Sequence, residues 1–456
     1  MNINERVSAA FCGGAYGDEG KGRIVDEQVN KYLKLGKHVI VYRDNGGANA
    51  GHTLELPDGR RVALHQLPSG VLYPEVMVIL GKSMVIHPGD LAVEINEIKE
   101  VAGKNGIADI KIDEMASLAL DTHRAMENVL KKWQEGGRGA TGRGISPAYA
   151  DILLRQTLRV RDIVNFDEAK VREHYRLYQA MIAGLGANLS EAEVVAYKSD
   201  NPVLVGTEDE FIERLKKQAE LISPYVTDVH KILEQTWPDP NNAFVFEKAQ
   251  AIGLDPRFGV YSDVTASDTT FGGILGSTEG IIDPLEIKIR ASVLKATYMS
   301  SVGTRVLPTK MDETLANIIR EDAKEYGATT KRPRGIAYLD LPTLRFFTKV
   351  GQVNKLVLTH MDIVYPDLPI KVCTRYTIDD EECGYRPDQE FLSRVTPHYI
   401  ELPTWDRSEI QRAKKPSNLP KNARHFLDFI SDELNAPVAM ITTGPKRDQS
   451  IVLSEI

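Results

Sequence analysis

The chain has 456 residues, 42% hydrophobic and 26% charged, and a formal net charge of −8. That composition suits a soluble globular protein with one large α/β domain or about two or three average ones. The acidic balance, with no basic block, argues against general nucleic-acid binding, and no apolar run reaches the length of a membrane span. Cys12, Cys373 and Cys383 form no C-x-x-C pair, which points to a reducing compartment and away from a structural zinc site. Met1 to Arg6 is polar and lacks a signal-peptide core, so the expected location is the cytoplasm.

Val7 to Cys12 reads as a buried strand, and Ile24 to Leu35 is apolar at helical spacing. Between them lies Gly13-Gly14-Ala15-Tyr16-Gly17-Asp18-Glu19-Gly20-Lys21-Gly22. A strand, a glycine-rich loop and a helix make a phosphate cradle, because backbone N–H groups and the helix N-terminus favour anions. Gly20-Lys21 fits a P-loop, but Ala15 replaces its first glycine and Gly22 replaces the magnesium-binding Ser or Thr. Asp18 adds a carboxylate that could hold a metal or take a proton.

Lys37 to Arg43 predicts a second strand, leading into Asp44-Asn45-Gly46-Gly47-Ala48-Asn49-Ala50-Gly51-His52-Thr53. Leu54–Leu56 and Arg61–His65 flank Pro57-Asp58-Gly59, a hairpin signal. Val76 to Leu80 and Ile107 to Ile112 read as strands, and Asp90 as the cap of a helix running to about Val101. Asp121 to Gln134 is helical in pattern, and glycines cluster again from Gly136 to Gly144. From about 160 to 238 the pattern is mainly helical, an insertion within a single domain spanning 1–456. Ala243–Phe246, Lys355–Thr359, Ile370–Thr374, Tyr399–Leu402 and Val438–Thr442 follow as strands, with helices near 312–326, 341–350 and 421–434. The alternation predicts an α/β fold: a large, mainly parallel central sheet with helices on both faces.

Candidate chemistry gathers in loops. Asp18 and Lys21 lie in the first, and Asn49, Gly51, His52 and Thr53 in the second. Thr141 and Arg143, with Arg155 beyond, make a third, and 250–270 a fourth. The fifth is Gly327-Ala328-Thr329-Thr330-Lys331-Arg332-Pro333-Arg334, whose arginines suit a carboxylate or phosphate.

These stretches resemble the adenylosuccinate synthetase family. The matching pieces are Gly17-Asp18-Glu19-Gly20-Lys21-Gly22, Asn49-Ala50-Gly51-His52-Thr53, Thr141 to Tyr149, Val264-Thr265, Gly327 to Thr330 and Thr443-Gly444-Pro445. They occur in the family's order and run nearly the whole chain. The resemblance implies a Mg²⁺-dependent ligase that joins L-aspartate to IMP using GTP, through a 6-phosphoryl-IMP intermediate, on the route from IMP to AMP. It implies catalytic roles for Asp18 as the base at N1, His52 as donor to the oxygen between the β- and γ-phosphates, and Lys21 and Gln250 as stabilisers of the 6-oxyanion. Gly17, Glu19, Gly20, Lys21, Gly22, Gly51, His52 and Thr53 would surround the donor phosphates, and Asp18 and Gly51 would meet the metal. IMP would be held by Asp18, Asn49, Thr141, Gln250, Thr265 and Arg332, with Arg155 reaching the site of a partner subunit in a homodimer. Thr329, Thr330, Arg332 and Arg334 would bind aspartate, and His360, Asp362, Thr442, Thr443 and Gly444 guanine.

Departures from the family pattern are Ala15-Tyr16, Ala140, Lys248, Ala251, Asp268, Lys331, Gly335 and His360, the last in place of a lysine that packs on guanine. An alternative is the related branch that makes 2-aminodeoxyadenylosuccinate from dGMP with ATP or GTP; Asp18 and Asp362 count against it. A non-catalytic nucleotide-binding protein would not need the base, acid and carboxylate clamp together.

Overall fold

The computed structural model describes residues 6–55, 61–134, 140–199, 201–327, 332–444, 446 and 449–456. A ten-stranded sheet runs through its centre. In chain order the strands are β1 (Val7–Gly13), β2 (His38–Arg43), β3 (Met77–Leu80), β4 (Asp109–Asp113) and β5 (Val226–Thr227). Then come β6 (Asn242–Ala251), β7 (Ile289–Lys295), β8 (Lys355–Thr359), β9 (Val438–Thr442) and β10 (Ser450–Val452). Their spatial order is β5-β4-β3-β2-β6-β1-β7-β8-β9-β10, and every neighbouring pair is parallel except β9–β10.

Every residue of β1 is buried. Its alternate side chains enter two different cores: Ala9 and Phe11 join one, Ala10 and Cys12 the other. This is why β1 reads as a continuous apolar run, as a strand covered on both faces must. The helix α1 (Lys21–Lys34) lays Ile24, Val25, Val29 and Tyr32 on the first core. The chain passes from β1 to β2 and leaves one slot between them, which β6 later fills; β7 pairs on the other side of β1. The carboxyl ends of β1, β2 and β6 therefore meet where the winding direction reverses, the position at which open α/β sheets bind ligands.

The mainly parallel, doubly covered sheet matches the sequence expectation, with four local differences. First, β7 was not anticipated, because Arg290, Ser292 and Lys295 interrupt its apolar pattern. Second, the helix Pro88–Ala102 is capped by His87, whose side chain accepts from the Asp90 amide. Asp90 itself is buried and paired with Arg124. Third, the strands Ile370–Ile378 and Thr396–Leu402 pair antiparallel in a separate sheet. Finally, between 160 and 238 the helices Val160–Val164, Glu168–Gly184, Glu208–Ile222 and Val229–Thr236 are joined by a small hairpin, Glu193–Val195 with Pro202–Leu204, and by β5, which returns to the main sheet. The hairpin His52–Glu55 with Arg61–Leu64 forms at the expected place, and its turn lies outside the described residues.

Candidate functional site

The loop after β1 turns through three left-handed residues: Gly17 (φ 97°), Asp18 (φ 59°) and Gly20 (φ 89°). Glycine takes this conformation freely and aspartate with little cost. Beneath the loop, the buried Glu19 carboxylate accepts from the amides of Gly17 (2.7 Å) and Ala15 (3.2 Å) and pairs with Lys21 Nζ (3.1 Å). The Glu19 side chain thus braces the loop from inside. A Cβ on Gly13 would lie 2.4 Å from Glu19 Oε2 and 2.7 Å from the Gln250 carbonyl, so the loop and the end of β6 can meet only over a glycine. Thr359, at the end of β8, donates to the Glu19 carbonyl (2.9 Å).

His52 packs against the start of α1, where a Cβ on Gly22 would come 2.8 Å from its Cβ. Its Nδ1 lies 3.3 Å from Glu247 Oε1, and its Nε2 lies 3.4 Å from the Leu67 carbonyl. Burial pushes the imidazole below its usual range, and Glu247 pulls it partly back. Glu247, on β6, is itself held by the Ser69 amide (2.6 Å) and hydroxyl (3.0 Å). Sequence reasoning missed this residue; the available signal was a Glu-Lys pair continuing a buried apolar strand. Arg43, at the end of β2, donates to the carbonyls of His65 (2.6 Å) and Gly47 (3.3 Å) and so ties the start of the second glycine-rich loop to the end of the hairpin.

Gln250 ends β6 in the left-handed region (φ 58°), and its Nε2 is buried without a hydrogen-bond partner among the described residues. An orphaned buried donor costs about 1–3 kcal/mol, and an incoming anionic oxygen would remove that cost. Asn49 sits opposite, its Oδ1 accepting from the Gly47 amide (3.2 Å). The Thr265 amide donates to the Leu254 carbonyl (2.8 Å), in the segment that follows β6. Thr141 precedes Gly142 and Gly144, whose amides are both held by the Glu127 carboxylate. Arg155 caps the helix Ile145–Leu154 in the left-handed region and is exposed, and among the described residues no hydrogen bond of its side chain reaches the other candidates. Arg332 is exposed as well, while Thr329 and Thr330 lie outside the described residues.

Arg334 enters the centre. Its Nη2 pairs with Asp18 Oδ2 and its Nη1 with Glu325 Oε2 (2.7 Å). Glu325 also receives Lys295 Nζ and the Tyr298 hydroxyl (2.6 Å). Burial alone would raise the Glu325 carboxyl, but Lys295 and Arg334 outweigh it and hold it at about 2. The Tyr298 ring meets His360 edge-on at 6.0 Å. His360 is pushed down to about 4 by burial and by Lys295, so it is neutral near pH 7 and does not replace the charge of a lysine. Its amide donates to Thr442 Oγ1 (3.2 Å), Asp362 accepts from Gln411 Nε2 (3.2 Å), and the Gly444 carbonyl accepts from Arg23 (2.5 Å). These bonds join His360 to Thr442 and tie Gly444 to Arg23 of α1.

Two departures have local explanations. Tyr16 is buried edge-on to Phe347 (5.8 Å), with the Arg305 guanidinium 4.7 Å from its ring centroid. Lys248 is fully buried against Asp44, which is equally buried, and it also lowers Asp268, whose burial would otherwise raise it.

Asp18 fits a magnesium ion, because it is a partly exposed carboxylate whose Oδ1 has no hydrogen-bond partner among the described residues; such ions commonly use one or two carboxylates plus substrate phosphates. The buried trio His123, Asp151 and His174 does not fit a metal. His123 Nδ1 accepts the Leu120 amide (2.7 Å), which leaves the proton on Nε2, donated to Asp151 (2.9 Å).

Residues 10–451 match the family model described as adenylosuccinate synthetase. Adenylosuccinate synthetase of Caldicellulosiruptor bescii is 35% identical over 97% of this chain and 98% of the relative. That of Halothermothrix orenii is 33% identical over 96% and 97%. The fully ligated Plasmodium falciparum adenylosuccinate synthetase superimposes with a TM-score of 0.83 at 28% identity, covering 98% of this chain and 99% of that one. A cyanophage S-2L succinoaminodeoxyadenylate synthetase bound to dGMP and dATP shares the fold, with a TM-score of 0.56 at 16% identity over 98% and 95%.

Lys248→Met strands the Asp44 carboxylate in the core and is expected to cost about 3–5 kcal/mol. Adding Asp44→Asn should restore much of the loss, as read from urea unfolding midpoints; equal midpoints for the single and parent proteins would contradict the pairing. Glu247→Gln removes the charge that raises His52. If protonated His52 is the active form, activity is lost as pH rises through its pKa, so the alkaline limb of the rate profile should move to lower pH. An unmoved limb would remove Glu247 from that role.

Proposed function

Because the chain belongs to the adenylosuccinate synthetase family of C–N-forming ligases, we propose how its own residues carry out that ligation. The reaction joins L-aspartate to IMP at the expense of GTP. The C6 oxygen of IMP is a poor leaving group until it is phosphorylated. Asp18 takes the proton from N1, which turns the C6 oxygen into a nucleophile. Lys21 Nζ and the unpartnered Gln250 amide support the developing oxyanion. His52, oriented by Glu247, donates to the oxygen bridging the β- and γ-phosphates, and the γ-phosphoryl group passes to the C6 oxygen while GDP departs. The aspartate amine then attacks C6, the C–O bond breaks, and inorganic phosphate leaves with that oxygen. Asp18 and the Gly51 backbone are the groups that would hold Mg²⁺, which neutralises phosphate charge when bound.

Asn49, Thr141 and Thr265 are read as holding the IMP phosphate, and Arg332 as serving the IMP ribose and the aspartate carboxylate. Arg334, with Thr329 and Thr330, completes the carboxylate clamp. Asp362 would accept from guanine N1 and N2, with His360 and Thr442–Gly444 as walls. Supporting all of this is one observation: Asp18 on the phosphate loop is joined directly to Arg334 of the carboxylate clamp.

A homodimer fits the helix that ends at Arg155. Leu153 and Leu154 just before it are 84% and 60% exposed, which favours burial against a second copy that Arg155 would enter. Cys12, Cys373 and Cys383 are all free thiols, consistent with a cytoplasmic setting. Among the described residues no helix is long and apolar enough to cross a membrane. We read the whole chain as one domain, with 160–238 as its helical excursion.

Steady-state assays should show IMP preferred over dGMP and GTP over ATP; a marked preference for dGMP would overturn the acceptor assignment. Asp18→Asn should lower kcat by about 10²–10⁴-fold while leaving circular dichroism unchanged; a loss below tenfold would remove Asp18 as the base. Leu153→Asp should convert the protein to monomer by light scattering and abolish activity; an active monomer would contradict the shared site.

A further inference from the structure

Arg334 is held at both ends of its guanidinium. Nη2 meets Asp18, which belongs to the reacting centre, but Nη1 meets Glu325, to which the reaction assigns nothing. Glu325 is 1% exposed and gathers three donors: Lys295 and the Tyr298 hydroxyl on Oε1, and Arg334 on Oε2. Lys295 is held in turn by Ser300 Oγ (2.5 Å), and the Arg334 amide donates to the Glu325 carbonyl (3.1 Å). The chain therefore fixes both the backbone and the side chain of Arg334 against one buried residue.

A guanidinium tethered by one Nη keeps its plane and reach while the other edge changes partners. Asp18 covers that other edge in this structure, and the free carboxylate of an amino-acid substrate has the same chemistry. We propose that Glu325 is a positioning residue for the amino-acid substrate: it anchors Arg334 through Nη1, so that the Nη2 edge passes from Asp18 to the substrate carboxylate. Lys295 and Tyr298 keep Glu325 ionised and oriented for this task. The exchange would also release Asp18 Oδ2 when the amino acid arrives. The inference rests on the reading of Arg334 as part of the carboxylate clamp.

Tyr298 gives the cleaner test, because Tyr298→Phe keeps the ring beside His360 and removes only the hydroxyl from Glu325. The KM for aspartate should rise about three- to tenfold, with the KM for GTP and for IMP within twofold of the parent. Glu325→Gln should raise the aspartate KM further, and Glu325→Asp should recover part of the loss. Arg334→Leu is the control for the underlying reading. If Arg334→Leu leaves the aspartate KM unchanged, the clamp itself falls. If Arg334→Leu raises it but Tyr298→Phe and every folded Glu325 variant leave it unchanged, or raise all three KM values alike, the positioning role is overturned. Should Glu325→Gln fail to fold, Tyr298→Phe decides alone on the same split.

Discussion

A carboxylate buried under a glycine-rich loop organises the centre of this molecule. Glu19 accepts the amides of Ala15 and Gly17 and neutralises Lys21 from below. With its donors tied inward, the backbone must turn through Gly17, Asp18 and Gly20 in the left-handed region, and this lifts the Asp18 side chain out of the loop. The same geometry fixes the start of α1, against which His52 packs, and presents the Glu19 carbonyl to Thr359. An ordinary phosphate loop places a hydroxyl after its lysine to meet the metal. Here Gly22 occupies that position, and a side chain there would run into His52. The metal-binding oxygen therefore has to come from elsewhere, and Asp18 is the group the turn exposes.

Charge in the site is balanced internally before substrates arrive. Lys21 faces Glu19, and Arg334 is shared between Glu325 and Asp18. Anionic substrates therefore bind by exchanging partners rather than by filling a bare positive pocket. Such exchange avoids leaving buried charges unpaired. It also explains how a protein of net charge −8 can gather three anionic ligands.

The local parts of this site were legible in the sequence. The β1–loop–α1 unit, the Asn49–His52 segment and the arginine pair announce themselves through glycines, apolar periodicity and clustered charge. The braces were not legible. Glu247 acts on His52 from a distant part of the chain, brought there by the pairing of β6 with β2, whereas Glu325, nine residues before Arg334, becomes a brace only where Lys295 and Tyr298, at and just after the end of β7, reach it. The strand β7 was missed for a related reason: Lys295 interrupts its apolar pattern because it points at Glu325 rather than into the core. Tyr16 shows the same limit, since its burial depends on Phe347 and Arg305.

The central claim is that the C6 oxygen of the acceptor is phosphorylated on this loop before the amine attacks. It is tested most directly by positional isotope exchange, with oxygen-18 in the β,γ-bridge of GTP. The account predicts that IMP induces scrambling of the label into the non-bridging β-positions, because GDP formed in the site can rotate and recapture the phosphoryl group. Steady ligation with aspartate, but no scrambling under any condition in which IMP is bound and GDP is retained, would contradict it.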